Sequence, residues 1–157
     1  METRSRLGLL VVAAALVFGA SAATHTPGAQ AARRPVAKQV IVPEEDRFTP
    51  FAQTIRVGDT VAWINMDGDD HTVTTVNPLT TAGNQNVNVL LKGTESNGGN
   101  PGTHKLTFGK PGVYVYYCRF HAHLDAEHQP AAPGPQGGIE DGGNFGTPMM
   151  GVITVLR

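Results

Sequence analysis

The chain carries one cysteine in 157 residues, Cys118. A lone cysteine excludes an internal disulfide, so its thiol is free, paired between chains, or occupied by a ligand. A charge excess of either sign is also absent. Twelve Lys and Arg stand against 13 Asp and Glu with no basic cluster, which argues against nucleic acid or an acidic membrane surface as partner. Long apolar runs are missing as well. The run from Leu7 to Phe18 is about 12 residues, short of the roughly 20 that a bilayer span requires, and no integral membrane span is expected in the mature chain. Beyond that run no stretch sustains a 3.6-residue apolar period, which leaves helices without a signal.

What is present at the start is a pattern of export. Arg4 and Arg6 precede the apolar run, and Ala20 to Ala22 fit an A-x-A cleavage pattern, so residues 1–22 read as a secretory signal peptide. No cysteine follows the run, which sets aside a lipid-anchored start of the bacterial lipoprotein kind. Residues 23–38, rich in Ala, Pro and Gly, suit a disordered linker. Folding is expected from Gln39, with residues 39–157 forming one domain around one core. The expected location is periplasmic, extracellular or at the cell surface, and the expected state is monomeric.

The mature chain reads as β. "QVIV" at 39–42, "TIRV" at 54–57, "TVAWIN" at 60–65, "HTVTTV" at 71–76, "KLTF" at 105–108, "VYVYYC" at 113–118 and "VITVL" at 152–156 are short runs rich in β-branched and aromatic residues. Turn residues such as Gly58-Asp59 and Asp67-Gly68 part them. "VNVLL" at 87–91 is too short for its pattern to assign. The stretch from Asn77 to Gly102, rich in Asn, Gly and Thr, is expected to cross between two sheets. Together these predict an all-β fold, an antiparallel sandwich or barrel.

Alternation along "VYVYYC" puts Tyr114, Tyr116 and Cys118 on one face and Val113, Val115 and Tyr117 on the other. His121 follows Cys118 in the next loop. A thiolate and an imidazole at this spacing can reach one metal ion, and soft sulfur with borderline nitrogen favours copper or zinc over magnesium or calcium. Two other readings stand beside it: an inert packing thiol, and a Cys/His nucleophile and base, for which no oxyanion-type Gly motif is apparent. His71 opens a strand after the loop "NMDGDD", and Met149 precedes the last strand. Jointly these residues supply two imidazoles, a thiolate and a thioether, the inventory of a site that binds copper through His, His and Cys with a weak axial Met.

Three blocks, "FTPFAQTIRVGDTVAWINMDGDDHTV", "HKLTFGKPGVYVYYCRFH" and "MMGVITV", together resemble the cupredoxins, the type I blue copper proteins, of the plastocyanin, pseudoazurin and amicyanin type. The resemblance runs over most of residues 39–157 and implies a single-domain Greek-key β-sandwich or barrel. It carries ligand roles for one type I copper ion onto His71, Cys118 and His121, and an axial role onto a methionine. In the family the ligand Met is followed two residues later by Gly and then by alternating apolar residues. Met149 has Gly151, Ile153 and Val155 at those places; Met150 would invert the alternation and is expected beside the ligands. Thr72, next to His71, is the candidate for the hydrogen bonds that hold the imidazoles and tune the potential.

The family's short loop departs here into a long one. Residues 122–148, dense in Gly and Pro, separate His121 from Met149 and read as an inserted loop without a regular element of its own. Three residues after His121, where the shortest-loop relatives have their Met, stands Leu124, which cannot coordinate. The insertion brings spare donors, His123, Asp125, Glu127 and His128, so His128 rivals His121 and a second metal site is an alternative. The function implied is a single-electron carrier with transient redox partners and no open coordination position, hence not an enzyme. The insertion, adjoining His121, is expected to set partner choice. A copper-delivery protein, or a copper enzyme using the loop to open the site, are the other classes.

Overall fold

A computed structural model of the chain describes residues 33–77, 87–132 and 147–157. The expected signal peptide, residues 1–22, and the linker up to residue 32 lie outside the described residues. Strand β1 (Ala37–Val42) is followed by β2 (Ala52–Arg56), β3 (Thr60–Asn65), β4 (His71–Thr75) and β5 (Asn88–Leu91). Then come β6 (Gly102–Thr107), β7 (Gly112–Tyr117), β8 (His123–Leu124), β9 (Pro130–Ala131) and β10 (Met150–Leu156). Among the described residues there is no α-helix, and no helix is long and apolar enough to cross a membrane.

Two sheets form the body. One has the order β1-β3-β6 and the other β2-β10-β7-β4-β5. The sandwich expected from the short strands is present, but not wholly antiparallel: β1 lies parallel to β3 and β2 parallel to β10. Neighbours that are distant along the chain mark the crossovers of a Greek-key arrangement. "VNVLL" supplies β5 beside β4, and the crossing between sheets falls between β5 and β6.

The core follows from alternation. In β10, Gly151, Ile153 and Val155 are buried while Val152 and Thr154 are only half-buried. Tyr114, Tyr116 and Cys118 of the β7 region enter the main core with Trp63, Val61, Val40, Ile55, Ile153 and Met149. Val115 and Tyr117, on the opposite face, pack with Val76, Ala122 and Met150 in a smaller cluster. Each fully buried aliphatic or aromatic side chain contributes about 1.5–3 kcal/mol. Gly151 is required where it stands, because a Cβ there would strike the hydroxyl and ring of Tyr116.

Two boundaries differ from the sequence expectation. Ordered structure starts before Gln39: β1 opens at Ala37, and Arg33 pairs with Asp59 at 2.8 Å. The inserted segment also has a regular element of its own, since β8 and β9 pair as a small hairpin, His123 opposite Ala131 and Leu124 opposite Pro130.

Antiparallel order then positions the site. β7 lies between β4 and β10, with Thr74 and Met150 both opposite Tyr117. The start of β4, the residue after β7 and the residue before β10 therefore meet at one end of the sandwich. Those residues are His71, Cys118 and Met149.

Candidate metal centre

His71 and Cys118 are fully buried, and the His121 side chain is 14% exposed. Nδ1 of His71 lies 3.1 Å from Nδ1 of His121, and Sγ of Cys118 lies 3.8 Å from the first and 3.6 Å from the second. Metal–nitrogen bonds of about 2.0 Å and metal–sulfur bonds of about 2.3 Å let two nitrogens on one ion sit up to about 4.0 Å apart and nitrogen and sulfur about 4.3 Å. All three observed separations are shorter, so one ion can touch all three atoms. Soft sulfur with two imidazoles is a donor set that suits copper.

The electrostatics suit a cation too. Burial by itself pushes the Cys118 thiol up, yet hydrogen bonds from His121, His71 and the main chain of Thr72 and Phe120 outweigh it and bring the thiol from 9.0 down to about 5. Burial likewise opposes charge on His71, while its contacts with Cys118 and Asp67 more than offset that and raise it. The sulfur is thus prepared as a thiolate, the form that binds metal.

Met149 is buried in the same core cluster as Cys118, and its carbonyl accepts the Cys118 amide hydrogen bond at 2.9 Å. Met150 faces the smaller cluster instead. Thr72 has a different partner from the one expected: its amide donates to Cys118 Sγ at 3.3 Å, and its hydroxyl accepts from the Arg119 amide at 2.8 Å. It secures the sulfur and the turn after it, not the imidazoles.

The partner of His71 is Asp67, whose carboxylate lies 3.1 Å from Nε2. Asp67 is held by Asn65, a buried residue whose amide oxygen accepts the Asp67 amide at 3.0 Å while its NH2 donates to the carbonyls of Asp69 and Leu91. The sequence signal for this was the position of an acid four residues before His71 in "NMDGDDH". Asp46, from the loop between β1 and β2, was also missed. Its Oδ1 lies 3.5 Å from His121 Nδ1 and 3.8 Å from His71 Nε2.

Among the described residues, the sets of three or more close donors are His71, Cys118 and His121, and Asp46, Asp67 and His71. His123, Asp125, Glu127 and His128 join neither. Asp125 instead organises the turn between β8 and β9, its Oδ1 accepting the amides of Glu127 and Gln129.

Among solved structures, the chain is similar to an oxidized Met-to-Leu mutant of amicyanin, with 21% identity over 75% of this chain and 80% of that one and a TM-score of 0.47. A reduced Pro-to-Phe mutant of amicyanin gives 24% identity over 76% and 82%, with a TM-score of 0.43. A purple cupredoxin from Nitrosopumilus maritimus gives 22% over 75% and 98%, with a TM-score of 0.47. No curated protein matches the chain. The sequence profile of the copper binding proteins, plastocyanin/azurin family, matches residues 40–126, a span that holds His71, Cys118 and His121 and stops short of Met149. With more than half of its length matched, the chain belongs to that family: it is a cupredoxin, and its cofactor is a single type I copper ion.

Proposed function

We propose that this protein is an exported carrier that passes single electrons between transient redox partners, with His71, Cys118, His121 and Met149 holding its copper ion. The observation that carries the reading is the triangle of two imidazole nitrogens and one sulfur with sides of 3.1, 3.6 and 3.8 Å. Bound copper supplies a one-electron Cu(II)/Cu(I) couple. The protein's own residues do the rest. Strands β4, β7 and β10 hold the donors at the end of a packed sandwich, which limits rearrangement when charge changes. Thr72 and Asp67 keep the sulfur and the first imidazole oriented, as partners of metal-bound side chains generally do. His121, the partly exposed member of the set, gives partners the shortest route to the centre, and the inserted segment that adjoins it selects them.

The chain organisation proposed with this function is a leader at 1–22, a tether, and a copper domain extending to residue 157. Purified protein loaded with copper tests the function. An intense thiolate-to-copper band, one tight copper per chain and rapid one-electron exchange at an electrode are the expected results. A weakly coloured protein that readily gives its copper to a chelator would mean delivery, and an exchangeable water on the ion would mean an enzyme. N-terminal sequencing of the mature protein tests export, with a start near residue 23 expected.

A further inference from the structure

Holding copper and passing an electron does not require the carboxylate of Asp46, yet its Oδ1 stands 3.5 Å from His121 Nδ1. We propose that Asp46 is a positioning residue that sets the charge balance of the metal centre, favouring the doubly charged ion over the singly charged one. The proposal rests on the copper reading above.

Five observations place it there. Its Oδ1 contacts both imidazoles, at 3.5 Å from His121 Nδ1 and 3.8 Å from His71 Nε2. Its side chain is 14% exposed, so its field on the ion is only weakly screened. The loop cannot drift from the site, because Ile41 and Thr49 exchange main-chain hydrogen bonds of 2.8 Å across its base and Phe48 is buried in the core. The neighbouring cation, Arg47, pairs with Glu45 at 2.6 Å and so leaves the Asp46 charge to act on the centre. The main chain at Asp46 has φ +42°, the left-handed conformation that Asp tolerates better than most residues.

A negative charge beside the ion interacts more strongly with Cu(II) than with Cu(I), by Coulomb's law alone. Removing it while keeping the shape should weaken Cu(II) binding and leave Cu(I) binding nearly unchanged. The test measures the affinity of both ions for copper-free protein by chelator competition, together with the reduction potential, in wild type, Asp46→Asn, Asp46→Glu and the exposed control Glu44→Gln. Asp46→Asn should lose at least tenfold in the Cu(II):Cu(I) affinity ratio, equal to a rise of about 59 mV for a one-electron couple. Asp46→Glu should recover most of the loss, and Glu44→Gln should change the ratio less than about twofold, as expected for a screened surface charge. A blue wild type with an Asp46→Asn ratio inside twofold of it overturns this inference and leaves the copper reading intact. A wild type without the thiolate band overturns both. A purely structural role is also distinguished, because it would weaken both ions together and Asp46→Glu would not rescue it.

Discussion

The two ends of β3 hold aspartates in opposite states of completion. At its start Asp59 is buried, and its carboxylate accepts from the Arg33 guanidinium at 2.8 and 3.1 Å, from the Val36 amide at 2.8 Å and from the Arg56 amide at 2.9 Å. Each Asp59 carboxylate oxygen accepts two hydrogen bonds, and the group closes the structure on itself. Beyond the other end, Asp67 and Asp46 adjoin two imidazoles and a thiol whose ring nitrogens and sulfur converge within 3.1–3.8 Å of one another. A set of acceptors with a counter-charge already in place is a clasp. A set of metal-binding atoms that converge, with carboxylates beside them, is arranged for a cation.

The largest effect expected from breaking this contrast is at the open end. Cys118→Ala should abolish the thiolate band and lower copper affinity by well over 100-fold, since even outer partners of metal ligands are worth about 10–100-fold. The copper-free protein should lose less than about 3 kcal/mol. An alanine variant that binds copper as tightly as wild type would reduce Cys118 to a packing residue. Next comes Asn65→Ala, which strips partners from the Asp67 amide and from two carbonyls. It should cost about 1–3 kcal/mol in urea denaturation of the copper-free protein and about tenfold in copper affinity. A loss of stability without any loss of affinity would show that the loop before His71 does not need Asn65 to present the imidazole.

At the closed end the prediction concerns pH. The Arg33 guanidinium first, then the Val36 and Arg56 amides, hold the Asp59 carboxyl well below its ordinary value of 3.8. A carboxylate lowered on folding contributes stability that is complete above the unfolded value and lost as pH falls from about 3.8 through the folded one. Asp59→Asn should therefore melt lower at pH 7 and show a flatter decline below about pH 4 than wild type. Parallel acid profiles for the two proteins would mean that Asp59 carries none of the acid sensitivity.

The convergence of the proposed ligands could be anticipated in part because those residues lie on or beside strands whose alternation is local. His71 opens β4, Cys118 follows β7, and Met149 keeps the parity of Gly151, Ile153 and Val155. Asp46 and Arg33 were not legible, since nothing in "PEEDR" or in an Ala- and Pro-rich stretch says which charge turns inward. That depends on pairings distant along the chain, Ile41 with Thr49 and β1 with β3. The parallel pairings were hidden for the same reason. The β8–β9 hairpin escaped because two-residue strands, one containing Pro130, leave no period to detect.

The smallest effect is expected in the hairpin, and its smallness is what makes it informative. His128 is exposed, its amide donates to the Asp125 carbonyl at 3.0 Å, and its φ of +61° is one that glycine adopts without strain. Relief of that strain in His128→Gly opposes the greater chain entropy of an unfolded glycine, so net stability should stay within about 0.5 kcal/mol. Copper stoichiometry should remain one per chain and the thiolate band should not move. A shifted band would make His128, not His121, the second imidazole, and would require the hairpin to refold over the site. Such a change conflicts with the 3.6 Å already separating Cys118 Sγ from His121 Nδ1.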